Sequence, residues 1–145
     1  MLNLEGKIVF ITGASSGIGE ACAKEFAKQK ANLILAARRK DRLLKLADEL
    51  EKQYQIKVKC LEVDVRNFDD VQNKFNSLES KWKQVDILLN NAGLARGLNK
   101  VYEGNLSDWD EMIDTNLKGL LNVTRVVSPQ MVERQSGQII NIGST

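Results

Sequence analysis

The sequence predicts a doubly wound α/β domain built on a parallel β-sheet, and three observations carry that expectation. Short runs rich in Val, Ile and Leu alternate with longer segments of helical period. Most of these runs are continuously apolar, as strands buried on both faces of a parallel sheet are. A glycine-rich turn joins the first strand to the first helix, over residues 13–19. A βαβαβ rhythm of this kind closes with right-handed crossovers.

Residues 7–12 (KIVFIT), 32–37 (NLILAA), 57–63 (KVKCLEV), 85–90 (VDILLN) and 138–142 (QIINI) read as strands. Four of them are nearly continuous in apolar character, and the third alternates. Residues 18–30, 39–54, 68–83 and 108–134 read as helices. Asn67 and Ser107 stand as N-caps, with Asp70 and Asp110 three residues later. The single proline, Pro129, lies near the end of the last helix and is expected to kink or loosen it. No repeat, low-complexity tract or linker interrupts the pattern. At 145 residues the chain forms one domain at most. The last strand runs into Gly143-Ser144-Thr145 with no helix after it. A bare sheet edge invites aggregation, so either another chain covers it or the sequence belongs to a longer protein. The second is the expectation.

Composition bounds the function. An apolar fraction of 43% and a charged fraction of 28% are ordinary for a soluble globular chain. A net charge of +2 gives no reason to expect nucleic acid or an anionic membrane as partner. The first residues resemble neither a signal peptide nor a membrane span. Cys22 and Cys60 fall in an expected helix and an expected strand, which suits small buried hydrophobes in a reducing compartment. A cytoplasmic location follows as the expectation. With no histidine in the chain, histidine triads, histidine zinc sites and histidine general bases are excluded.

The turn Gly13-Ala14-Ser15-Ser16-Gly17-Ile18-Gly19 lies where a phosphate cradle belongs. Glycines let the backbone approach a pyrophosphate, and the following helix offers free N–H groups and a positive dipole end. Its spacing, G-x-x-x-G-x-G, is neither the commoner G-x-G-x-x-G nor a P-loop. Taken alone it is also compatible with a structural strand-to-helix connection. About twenty residues on, an NAD site places an acid against the ribose 2′-hydroxyl. Here Ala37 is followed by Arg38 and Arg39 instead. A guanidinium fork matches the 2′-phosphate of NADP, a contact that favours it by about 10- to 150-fold. The competing reading is a solvated basic helix start.

With Asn90-Asn91-Ala92-Gly93 added to Thr12-Gly13-x-x-x-Gly17-Ile18-Gly19, the chain resembles the short-chain dehydrogenase/reductase family. The resemblance implies a Rossmann fold of seven strands, of which the first five are present, so residues 1–145 form an incomplete NADP-binding domain. It assigns Asp64 and Val65 to the adenine, and the backbone near Asn91, Ala92 and Gly93 to the cofactor ribose. Asn116 matches the active-site asparagine that helps hold a water in the proton relay. Ser144 matches the catalytic serine that donates to the substrate carbonyl as hydride arrives. Several of these residues have a plainer reading beside the functional one. Asp64 also suits a strand end, the two asparagines suit ties between strands, and Ser144 suits a turn. On a straight helical wheel Asn116 falls in a buried stripe of Trp109, Ile113, Leu120, Thr124 and Val127. There it must find a specific hydrogen-bond partner.

Residues 108–116, 131–134 and 141–145 are similar to the NADP-dependent 3-hydroxy acid dehydrogenase subgroup, which acts on serine, allo-threonine and related acids. The expected function is hydride transfer between NADP(H) and an alcohol or carbonyl substrate. The rivals are a ketone or 3-oxoacyl reductase of the same family and a non-catalytic NADP-binding module. A homotetramer through the long helix is implied by the resemblance alone. The family's Tyr-x-x-x-Lys is absent: Tyr54 and Tyr102 are followed four residues later by Val58 and Leu106. Residues 1–145 are therefore expected to be inactive by themselves.

Overall fold

A computed structural model describes residues 3–144. Met1, Leu2 and Thr145, the last of the Gly-Ser-Thr motif, lie outside the described residues. Five strands form one sheet in the order β3-β2-β1-β4-β5, every pair parallel. They are β1 (Ile8–Thr12), β2 (Asn32–Ala37), β3 (Val58–Glu62), β4 (Ile87–Asn90) and β5 (Gln138–Asn141). The helices are α1 (Gly17–Lys28), α2 (Lys40–Tyr54), α3 (Phe68–Asn76), α4 (Leu106–Ile113) and α5 (Leu120–Arg134).

Alternate residues of the central strands feed two cores, as the two-residue period of a strand requires. Val9, Ile11, Leu33, Leu35 and Leu89 pack against Ala23 and Ala27 of α1 and Leu43, Leu46 and Leu50 of α2. Phe10, Ile34, Ala36 and Leu88 pack on the other face against Val71 and Phe75 of α3 and Val123, Val127 and Met131 of α5. Phe10 meets Phe75 edge to face at 6.1 Å. Cys22 and Cys60 are unpaired and half-buried, and both pack against the α1/α2 core. Burial pushes the Cys60 thiol up to about 11.

Several expectations need correction. The alternating strand β3 is an edge strand, and so is β5, whose Gln138, Ile139 and Asn141 are exposed. Among the described residues β5 pairs with β4, and its exposed side chains are those of the bare sheet edge expected from the sequence. The helix expected over 68–83 stops at Asn76, where the Ser77 hydroxyl donates to the Lys74 carbonyl. A helix of that full length would run about 24 Å, against about 17 Å for a five-residue strand, and would overshoot the start of β4. A 3-10 turn over Ser80–Lys83 tucks Trp82 into the core instead.

The helix expected over 108–134 begins two residues early. Its cap is Asn105, whose side chain accepts from the Ser107 N–H, rather than Ser107 itself. A π-helical segment, Asp114–Gly119, then interrupts it. Pro129 lies within α5, which continues past it to Arg134. Asn67 caps α3 as expected, accepting from the Asp70 N–H at 3.1 Å.

Candidate functional site

The C-terminal ends of all five strands open onto one cavity of about 920 Å³. Ligands bind at this edge of doubly wound sheets. Its walls include Gly13, Ser15, Ser16, Ile18, Arg38, Arg39, Asp64, Val65, Asn91, Ala92, Gly93, Asn116 and Ser144. Thirteen of the sixteen sequence-predicted site residues thus meet in one place. The other three, Ala14, Gly17 and Gly19, shape the turn behind it. Ala14 is buried and its N–H donates to the Ala36 carbonyl at 3.2 Å, tying the turn to β2.

The turn is also sewn to the end of β4. The Thr12 hydroxyl accepts from the N–H groups of Asn91 and Ala92, at 3.0 and 2.9 Å. The Asn91 amide donates to the carbonyls of Thr12 and Gly13 at 3.3 and 3.2 Å. This close seam explains two glycines. A Cβ on Gly13, at φ +63°, would meet Ala92 Cα at 2.9 Å, and one on Gly19 would meet the Gly13 oxygen at 2.2 Å. Asn90 ties strands as well, donating to Thr124 Oγ1 and Asn141 Oδ1 at 3.0 Å each.

The N-cap Ser16 makes no side-chain cap hydrogen bond, so the first-turn N–H groups of α1 are left for a ligand. Arg38 and Arg39 stand exposed at the end of β2, and neither forms an ion pair among the described residues. Asp64, two residues beyond the end of β3, faces this region, where the Arg66 guanidinium holds its carboxyl below the usual carboxylate range and the Arg38 charge adds to the effect. Val65 is buried, and its Cγ2 fills the place that a Cβ on Gly119 would take.

Asn116 is exposed, and of the expected buried stripe only Val127 is fully buried. The π segment shifts the register, so Thr115, Gly119, Val123 and Met131 turn inward beside Val127. A π bulge adds one residue to the local turn and rotates everything beyond it. The expectation of a specific partner holds: Asn116 Oδ1 accepts from the Leu94 N–H and its Nδ2 donates to the Leu94 carbonyl, both at 2.9 Å. Ser144 lies on the same cavity wall.

Sequence reading missed Arg66, Thr115 and Asn141. Arg66 grips Asp64, and an acid two residues before an arginine at a strand end was the available signal. Thr115 Oγ1 and Asn90 Oδ1 are buried without partners among the described residues, and both residues line the cavity. Buried polar atoms of this kind are usually satisfied, so they mark places for a bound group or water. Uncapped helix N–H groups, two unpaired guanidiniums and orphaned buried oxygens together fit a dinucleotide with an additional phosphate.

The family model for short chain dehydrogenases matches residues 7–145, and the chain belongs to that family. Over 138 residues it is 46% identical to the NADP-dependent 3-hydroxy acid dehydrogenase of Salmonella typhi, covering 95% of this chain and 54% of that one. Over 138 residues it is also 44% identical to sulfoacetaldehyde reductase 2 of Chromohalobacter salexigens, again covering 54% of that protein. The closed form of serine dehydrogenase complexed with NADP+ superposes with a TM-score of 0.86 at 46% identity, covering 95% of this chain and 54% of that one. The chain spans about half the length of the relatives it matches. No helix among the described residues is long and apolar enough to cross a membrane.

Proposed function

We propose that the chain is the dinucleotide-binding part of an NADP-dependent dehydrogenase acting on a 3-hydroxy acid such as L-allo-threonine or serine. The carrying observation is the pair of unpaired arginines, Arg38 and Arg39, at the cavity rim where an NAD site would place an acid. The pyrophosphate would rest on the N-terminus of α1 beside Ser15 and Ser16, with Ile18 against it. Arg38 and Arg39 would fork the 2′-phosphate, Asp64 would accept from the adenine amine, and Val65 would pack beside the base. Asn91, Ala92 and Gly93 would back the ribose. When bound, NADP(H) supplies or accepts the hydride.

On the substrate side, Ser144 would donate to the oxygen of the reacting carbon, stabilising its growing charge in the reduction direction. Asn116, locked to Leu94, would support the proton relay. The tyrosine that moves the proton is not among residues 1–145. The named activities of the relatives support the class, since the Salmonella typhi protein is a 3-hydroxy acid dehydrogenase. The reductase of Chromohalobacter salexigens favours the second reading, a carbonyl reductase of the same family. A cytoplasmic setting and a homotetramer remain part of the proposal.

Steady-state rates of the full-length protein with L-allo-threonine, serine and a panel of ketones separate the two readings. The hydroxy acids are expected to give the larger kcat/KM with NADP+. A ketone preferred over both acids contradicts the substrate assignment and leaves the family untouched.

A further inference from the structure

The Asp64 carboxylate, which the proposed function sets against the adenine, is gripped from one side. Arg66 Nε lies 3.0 Å from Oδ1 and 3.1 Å from Oδ2, and Nη2 lies 2.7 Å from Oδ2. The Arg66 backbone N–H adds a bond to Oδ1 at 3.0 Å. Behind Arg66 stands Glu111 of α4, its Oε1 3.9 Å from Nη1. Glu111 is forked in turn by Arg96 from the β4–α4 connection, at 3.1 and 3.3 Å. Four alternating charges therefore run from the adenine side of the cavity to α4. The Asp64 and Arg66 side chains are each only about one-third exposed.

A carboxylate has about four lone-pair sites, so one held by a guanidinium fork keeps acceptor capacity on its free edge. An aspartate without such a grip turns broadly about its last torsion. Orientation matters because a purine amine donates where a purine carbonyl accepts. Held in one pose, the free edge of Asp64 welcomes the first and repels the second.

We infer that Arg66, braced by Glu111, is a positioning residue that gives the site its preference for adenine by fixing the Asp64 carboxylate in one orientation. The inference rests on Asp64 being the adenine contact. The same fork keeps Asp64 ionised, so it remains an acceptor well into the acid range.

The test compares two dinucleotides in the full-length protein by fluorescence titration: NADPH and reduced nicotinamide hypoxanthine dinucleotide phosphate, which carries a carbonyl in place of the amine. The wild type is expected to favour NADPH by about tenfold or more. Arg66→Met should bring the ratio of the two dissociation constants to within about threefold, and Arg66→Lys and Glu111→Gln should fall between. Both affinities falling together with the ratio unchanged would show a merely structural tie and overturn the inference. Should Arg66→Met fail to fold by thermal melting, the other two variants decide, and an unchanged ratio in both overturns it. Equal binding by the wild type removes the Asp64 assignment itself, a failure distinct from that of Arg66.

Discussion

Gly19 has no room for a side chain, since a Cβ there would sit 2.2 Å from the Gly13 oxygen and 2.5 Å from the Asn91 amide. Gly19→Ala must push α1 away from the turn. It is expected to destabilise the fold by about 1–3 kcal/mol in urea unfolding and to weaken NADPH binding. Asp64 gives a pH dependence whose sign follows from its lowered pKa. The ion pair with Arg66 contributes stability above the unfolded carboxylate value of about 3.9. That contribution fades as pH falls through the lower folded value. Asp64→Asn should therefore flatten the acid limb of the stability profile below about pH 4 and leave its alkaline limb unchanged, as followed by thermal melts. At this scale the glycines, arginines and Asp64 were legible because their chemistry is local. Asn116 was legible as a residue of the cavity wall, but its surroundings were not. Its exposure depends on a π segment that no helical wheel anticipates. Arg66 went unseen because its role comes from what its fork touches.

Element boundaries reflect caps and lengths. Asn67 accepts from the Asp70 N–H at the start of α3, and Asn67→Ala is expected to cost about 1 kcal/mol in urea unfolding. A loss under about 0.3 kcal/mol would mean that water replaces the cap. Strand cores were readable from apolar runs, while strand and helix ends moved by one or two residues as hydrogen bonds decided them. The break of α3 at Asn76 and the burial of Trp82 were hidden in the sequence, because they follow from the distance back to β4. The cap at Asn105 rather than Ser107 is a choice between two good cap formers, settled by which side chain reaches the first N–H groups.

For the whole molecule, parallel order and crossovers follow from the βαβ rhythm, so the sheet and its two cores were the most legible features. The bare edge at β5 was expected as well, and its exposed Gln138, Ile139 and Asn141 agree with it. Residues 1–145 contain the cavity and Ser144 but no Tyr-x-x-x-Lys. This stretch expressed alone is expected to show no NADP+ reduction with L-allo-threonine, and measurable turnover would remove the assigned role of that missing tyrosine. The central claim is that the cavity is built for NADP(H), with Arg38 as its main discriminator. Titration of the full-length protein with NADPH and NADH, in the wild type and in Arg38→Asp, tests it most directly. NADPH should bind the wild type at least about tenfold more tightly, with the preference lost or reversed in the variant; equal affinity of the wild type for the two nucleotides would contradict the account.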